Sequence, residues 1–120
     1  VKAVRHKPTA ADSPSAMRLQ RETNTAPVPG SMSDPAWRRG YALLAKYGFS
    51  FDLQVHWWHL EEAAQLAHDF PETAIVLNHT GLPADRSEAG LSGWRAGLEI
   101  LAAEPNTFLK ISGIGVVRTA

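Results

Sequence analysis

A short apolar run, Ala74 to Leu77, constrains the fold of this chain more than any other feature. It follows Phe70-Pro71 and stops at Asn78-His79-Thr80-Gly81-Leu82-Pro83. A run of this length and composition, bounded by Pro and Gly, is typical of a fully buried strand in a parallel sheet. Parallel α/β proteins collect ligands at the carboxyl ends of their strands, so His79 is a candidate site residue. The alternative is a hydrogen-bonded structural histidine.

Three further segments have the pattern of strands. They cover Val1 to Arg5, which would be buried, Phe49 to Val55 and Thr107 to Ile111. Helices are predicted between them, over 35–47, from Leu60 to Phe70 and over 91–103, from apolar residues at helical spacing. Ser33-Asp34-Pro35 is a helix start and Gly48 a helix stop.

Two segments between these elements are predicted as loops. Residues 9–33 are rich in Ala, Ser, Thr and Pro, and they predict a long loop that holds no more than one helical turn. Residues 84–90 predict a polar loop.

Strands that alternate with helices predict βαβ units, a parallel sheet and the α/β class. Four such strands are about half of a (β/α)8 barrel, so we expect residues 1–120 to form a partial TIM barrel. A doubly wound flavodoxin-like sheet has the same alternation. It needs a phosphate loop, and the chain has no G-x-G-x-x-G or Walker-type motif.

Composition limits the partners and the compartment that we expect. Twelve Lys and Arg balance twelve Asp and Glu, so no net field would recruit nucleic acid or an anionic membrane, and a small-molecule substrate fits better. The chain has no cysteine, signal peptide or membrane-spanning run, which favours the cytoplasm. It begins without Met and already in a strand, so we expect a piece of a longer protein.

In a barrel, the carboxyl ends of the four strands converge on one mouth. The residues brought there would be Arg5 or His6, Gln54 or His56, His79, and Lys110 or Ser112. Arginine offers a donor fork to a carboxylate, and neutral imidazole can accept a proton, donate a hydrogen bond or ligate a metal. Lys110 interrupts an apolar strand, and a buried ammonium there would need a partner or a ligand.

The spacing His56-x-x-His59 also suggests a metal pair. It lacks the glutamate and the helical context of H-E-x-x-H, and Trp57-Trp58 between the two histidines would serve equally as core or pocket wall. We expect His68 to be a solvated or capping residue.

Four motifs together resemble the middle of an amidohydrolase-2 family protein. They are Asp34-Pro35-Ala36-Trp37-Arg38-Arg39-Gly40, Phe51-Asp52-Leu53-Gln54-Val55, Asn78-His79-Thr80-Gly81-Leu82-Pro83 and Lys110-Ile111-Ser112-Gly113. The branch of sugar-lactone and 2-pyrone-4,6-dicarboxylate lactonases is the most similar. The resemblance implies a barrel that hydrolyses a small cyclic ester, with the chain spanning roughly its third to sixth strands.

The resemblance also implies site residues. His79 would be the fifth-strand histidine, which ligates a divalent metal such as zinc in some members and polarises the substrate in metal-free ones. With Lys110 it forms the expected catalytic set, while Arg5, Gln54, His56 and Ser112 would bind substrate.

The chain departs from the family pattern in several places. The first-strand H-x-H pair and the last-strand Asp, the family's general base, have no counterpart here, and Leu82 stands where many of these lactonases have Lys. Hydrolysis needs an acceptor, an electrophile and orientation together, so His79 cannot activate water alone. A metal-dependent decarboxylase of the same family and a catalytically incompetent barrel fragment are therefore the alternatives.

Overall fold

A computed structural model describes residues 2–23, 26–78 and 87–110 of the chain. The strands are β1 (Ala3–His6), β2 (Ser50–Leu53), β3 (Ile75–Leu77) and β4 (Thr107–Leu109). The helices are α1 (Pro14–Thr23), α2 (Pro35–Lys46), α3 (Leu60–Asp69), preceded by a 3-10 turn at Trp57–His59, and α4 (Glu88–Ala102). The strands pair in parallel in the order β1-β2-β3-β4, which confirms the predicted α/β fold of four parallel strands with intervening helices.

The hydrophobic core lies on one face of the sheet. Alternate residues of the two central strands point into it, and Phe51, Leu53, Ile75 and Leu77 are each at most 2% exposed. The other side of this core comes from the helices, with Tyr41 of α2 edge-on to Phe51 at 5.0 Å between ring centroids. The helices therefore cover this one face, and we call the opposite face, which no described helix covers, the open face.

Both ends of α2 follow from its sequence. Asp34 caps the start: one carboxylate oxygen accepts from the N–H of Ala36 at 3.0 Å and the other from the N–H of Gly30 at 2.8 Å. The hydrogen bond from Gly30, and to a smaller extent that from Ala36, holds the pKa of Asp34 below its ordinary value. Gly48 follows the helix with a φ of 69°, a left-handed conformation in which other residues are strained. The predicted helix 35–47 is thus confirmed to within one residue.

The two predicted loops both contain helix. Within residues 9–33 the ten-residue helix α1 replaces the single turn that we expected, because Ser13 caps it through the N–H of Ala16 and Pro14 fits its first turn. Helix α4 begins at Glu88, inside the predicted loop 84–90, because Ser87 accepts from the N–H of Gly90 at 3.1 Å. Both starts are Ser caps that the apolar pattern did not mark.

The outer strands are more exposed than we expected. Residues 3–6 of β1 are all exposed, so the prediction of a buried first strand is wrong for this chain. In β4, Phe108 is 58% and Leu109 46% exposed. The physical reason is that each outer strand has only one neighbour within the described sheet. No helix in the described ranges combines the length and the apolar composition that crossing a membrane requires.

Candidate active site

The strand register places one row of residues, two of them charged, on the open face of the sheet, opposite to the helices. In the strand register, Arg5 is opposite Asp52, Asp52 is opposite Val76 and Val76 is opposite Phe108. These four residues therefore form one row across the four strands. Side chains in register on neighbouring parallel strands point to the same face. Arg5 and Asp52 thus lie side by side, and a guanidinium nitrogen of Arg5 is 3.8 Å from a carboxylate oxygen of Asp52.

A second row, made of polar residues, follows at the carboxyl ends of the strands. Gln54, Asn78 and Lys110 each come one residue after the last aligned set, Leu53, Leu77 and Leu109. The ladder continues into this row, because Lys110 donates its N–H to Leu77 at 2.9 Å and Gln54 donates to His6 at 3.3 Å. We call Gln54, Asn78 and Lys110 the carboxyl edge.

The structure decides between the alternatives that the sequence left open on β1. His6 is in register with Leu53, whose side chain is in the core, and the His6 ring lies 6.2 Å from that of Trp37 in α2. His6 therefore belongs to the helix-covered face. Arg5 is the residue that β1 contributes to the open face, where its side chain is 61% exposed.

The other predicted site residues divide into three groups. Gln54 and Lys110 lie at the carboxyl edge; Lys110 is exposed there, which corrects the expectation of a buried ammonium. His56 lies just beyond, where it precedes the 3-10 turn and stacks on Trp58 at 4.3 Å between ring centroids. His79 and Ser112 lie outside the described residues.

The pair His56 and His59 does not form a metal site. Both ring nitrogens of His59 have protein partners, the N–H of Ala11 at 2.9 Å and the carboxylate of Glu62 at 3.1 Å. More widely, the described ranges contain no group of three or more His, Asp or Glu side chains that could hold a metal ion. The described residues alone therefore do not fit a metal.

A cavity with several charged side chains in its wall lies beside α3, away from the strands. It has a volume of about 520 Å³, and its walls include Arg21, Arg38, His59 and Glu62. Their charges are met internally: Glu62 accepts hydrogen bonds from Ser33 and His59, and Arg38 donates to Asp69 at 2.7 Å. Burial opposes the ionisation of Glu62, but the hydrogen bonds from His59 and Ser33 and the charge of Arg21 outweigh it and lower the pKa of Glu62. These contacts join Ser33 and the start of α2 to α3. The sequence did not predict them, because the residues are far apart in the chain.

Asn78 also lies at the carboxyl edge, although it was not selected as a candidate from the sequence. The residue is 2% exposed, and neither its amide nitrogen nor its amide oxygen has a hydrogen-bond partner among the described residues. The signal was present in the sequence, because Asn78 is the first polar residue after the apolar run and stands at the carboxyl end of its strand.

Known proteins are similar to this chain in sequence and in fold. It is 46% identical over 82 residues to the uncharacterized protein y4mH of Sinorhizobium fredii, covering 68% of this chain and 27% of that protein. It is 32% identical over 93 residues to an L-fucono-1,5-lactonase of Burkholderia multivorans, covering 74% of this chain and 31% of that enzyme. The chain thus spans about a third or less of the length of these relatives.

Solved structures extend the similarity to the fold. A crystal structure of an amidohydrolase from Burkholderia multivorans with bound HEPES matches with a TM-score of 0.69 and 26% identity, over 95% of this chain and 36% of that one. A second, with bound zinc, matches with a TM-score of 0.62 and 22% identity, over 86% and 42%. The partial α/β fold is thus that of amidohydrolase TIM barrels.

A family model covers almost the whole sequence. The model described as amidohydrolase matches residues 8–119, which include every strand but β1 and all four helices. The parallel sheet, its polar carboxyl edge and the match to this model lead to one conclusion: the chain belongs to the amidohydrolase family.

Proposed function

We propose that the complete chain that the gene encodes is a hydrolase of the lactonase type, which opens a small cyclic ester. The support comes from the L-fucono-1,5-lactonase relatives and from the polar residues on the open face and at the carboxyl edge. The observation that carries the proposal is this alignment of polar side chains at the end of a parallel sheet, where α/β enzymes carry their chemistry.

In this proposal His79 polarises the ester carbonyl or holds a divalent metal, and Lys110 is the second catalytic residue. The ammonium of Lys110 would stabilise the negative charge that develops on the carbonyl oxygen as water adds. Arg5, Gln54, His56 and Ser112 would bind the rest of the substrate. The base that deprotonates the water would come from another part of the barrel.

The relatives favour one of the two expected substrate classes. Both lactonase relatives are named L-fucono-1,5-lactonase, which specifies a sugar lactone. A sugar lactone is neutral and rich in hydroxyl groups, whereas a pyrone dicarboxylate brings two negative charges. We therefore propose a sugar lactone as the substrate.

We extend the proposal to a divalent metal, such as zinc, with His79 as one ligand. Its support is the bound zinc of a structural neighbour. When bound, the metal would act as a Lewis acid on the carbonyl or lower the pKa of a water ligand. Because the described residues do not supply a ligand set, the other ligands would come from elsewhere in the chain.

The decisive experiment measures turnover by the complete protein and by His79→Ala. Sugar 1,5-lactones and pyrone dicarboxylate are offered separately, and acid release and carbon dioxide release are both followed. We expect kcat/KM for a sugar lactone to fall by roughly two orders of magnitude or more in His79→Ala. His68→Ala is the matched control, because this histidine is 70% exposed on α3, where it pairs with Glu104. Unchanged turnover in His79→Ala would contradict the proposal, and carbon dioxide release would favour the decarboxylase.

We also propose that residues 1–120 alone are inactive. The chain spans 27% and 31% of two relatives, and its outer strand exposes Phe108 and Leu109, which would promote association. Size-exclusion chromatography and the lactonase assay on these 120 residues test this, and an active, monodisperse monomer would refute it. The expected absence of nucleic-acid and membrane partners, and the cytoplasmic location, stay predictions.

A further inference from the structure

Asn78 differs from Asn106, the other asparagine in the described part of the chain. Its side chain is 2% exposed, and both polar atoms of its amide are unpaired among the described residues. Native proteins pair nearly all such groups, because a buried amide without hydrogen bonds opposes folding. An unpaired amide therefore suggests a partner that joins later, such as a ligand.

Asn106 is the internal comparison. Its amide nitrogen lies within hydrogen-bond distance of the carbonyl oxygens of Ala67, Phe70 and Thr73, at 3.1, 3.2 and 2.9 Å. The fold thus satisfies a structural asparagine where it needs one. The amide of Asn78 has no such partner in the part of the chain that the structure describes.

The place of Asn78 in the sheet points to a ligand. It lies at the carboxyl edge, in line with Gln54 and Lys110 on the two neighbouring strands, and His79 follows it in the sequence. Neighbouring strands are about 4.8 Å apart, so a small molecule at this edge would reach all three side chains. The buried hydroxyl of Thr73 is also unpaired, but it lies before the amino end of β3, far from the carboxyl edge.

We infer that Asn78 is a substrate-binding and specificity-determining residue, an inference that rests on the proposed function. An amide offers two N–H donors and an oxygen acceptor, which is the complement of an ester oxygen next to a hydroxyl group. Asn78 donates to an oxygen of the lactone and accepts from a ring hydroxyl. It transfers no proton, so its effect is on orientation and on the choice between hydroxylated and deoxy substrates.

The experiment compares Asn78→Leu with Thr73→Val in the complete protein. Each change replaces an unpaired polar group by an apolar group with the same number of side-chain heavy atoms, which costs little when the polar group has no protein partner. We expect Asn78→Leu to melt no lower than Thr73→Val, while its kcat/KM for a sugar 1,5-lactone falls roughly 100-fold. Thr73→Val should keep wild-type kinetics.

A second readout separates substrate recognition from a structural role. Wild type and Asn78→Asp, which keeps the acceptor but loses the donors, are assayed on sugar lactones that each lack one hydroxyl. We expect wild type to discriminate against at least one deoxy lactone and both Asn78 variants to lose part of that discrimination. The comparison of wild type with Asn78→Asp remains a valid test even if Asn78→Leu folds poorly, because aspartate preserves the shape of asparagine.

The outcomes are distinct. Wild-type kcat/KM in Asn78→Leu, or discrimination in Asn78→Asp equal to that of wild type, overturns the inference and leaves the lactonase proposal standing. Absence of turnover by the wild-type protein on every lactone overturns the proposed function, and this inference with it.

Discussion

The backbone N–H of Ala11 donates to Nε2 of His59 over 2.9 Å, although the two residues are 48 positions apart. A backbone N–H can only donate, so Nε2 carries no proton and the Nδ1–H donates to Glu62. The indole N–H of Trp58 donates to the carbonyl of the same Ala11, also at 2.9 Å. Two adjacent side chains thus attach the segment before α1 to the start of α3.

Replacing His59 should loosen this attachment. In His59→Ala the N–H of Ala11 and one oxygen of Glu62 lose their partners, and the imidazole leaves a gap in a site where its side chain is only 7% exposed. We expect the free energy of unfolding of the complete protein to fall by about 2–4 kcal/mol, measured by urea titration. His68→Ala, at an exposed ion pair, should change it by less than about 0.5 kcal/mol. Equal effects of the two changes would contradict this role of His59.

Glu62 should make stability depend on pH in the acid range. Its folded pKa lies below the ordinary value of 4.5, so its contribution is complete above about pH 5 and is lost as the pH falls through the lower folded value. Stability of the wild type should therefore drop more steeply below pH 4.5 than that of Glu62→Gln, in urea titrations between pH 3 and 7. Glu72→Gln, an exposed control, should keep the wild-type slope; a matching slope in Glu62→Gln would refute the linkage.

Two glycines in helices should respond in opposite directions to alanine. A Cβ at Gly97 would lie 3.0 Å from the carbonyl oxygen of Trp57 and 3.1 Å from Leu60, whereas a Cβ at Gly40 meets nothing within 4 Å. Gly97→Ala should lose about 1–3 kcal/mol because the helix must move away from the backbone of Trp57. Gly40→Ala should gain up to about 1 kcal/mol from helix propensity. Thermal unfolding of both variants checks the sign of each effect.

Asn106 should tolerate Ala better than Asp. Asn106→Ala removes the amide N–H groups that donate to three carbonyl oxygens, which should lower the free energy of unfolding by about 1–3 kcal/mol. Aspartate keeps the shape but turns a carboxylate toward those oxygens, so it should cost more. Urea titration at pH 7 of both variants measures the difference, and an aspartate variant as stable as the alanine one would contradict the role of this donor.

Lys110 should affect turnover rather than stability. It is exposed in the described structure, so Lys110→Met should leave the melting temperature of the complete protein close to that of wild type. If it stabilises charge on the substrate, kcat/KM for a lactone should fall by roughly 100-fold. Lys46→Met, at the exposed end of α2, is the matched control and should keep wild-type turnover; a similar loss in both would point to a nonspecific effect of charge.

Local signals made much of the fold predictable. The apolar run 74–77, the cap at Asp34 and the stop at Gly48 depend on residues within a few positions of one another, and they located β3 and α2 to within about a residue. The amidohydrolase resemblance rested on such local motifs too, and the family match confirms it. The catalytic role of His79 stays a prediction, because that residue lies outside the described part of the chain.

The sequence by itself determined the order of the strands, their parallel arrangement and the family, because hydrophobic period, caps and motifs are read over short distances. Only the tertiary structure decided which polar side chains are paired. Arg5 meets Asp52 through the strand register, and His59 meets Ala11 across 48 positions. The side-chain amide of Asn78 is buried without a hydrogen-bond partner among the described residues, while that of Asn106 faces three carbonyl oxygens. The two asparagines are alike in the sequence, and their difference exists only because folding brings residues that are distant in the chain to Asn106.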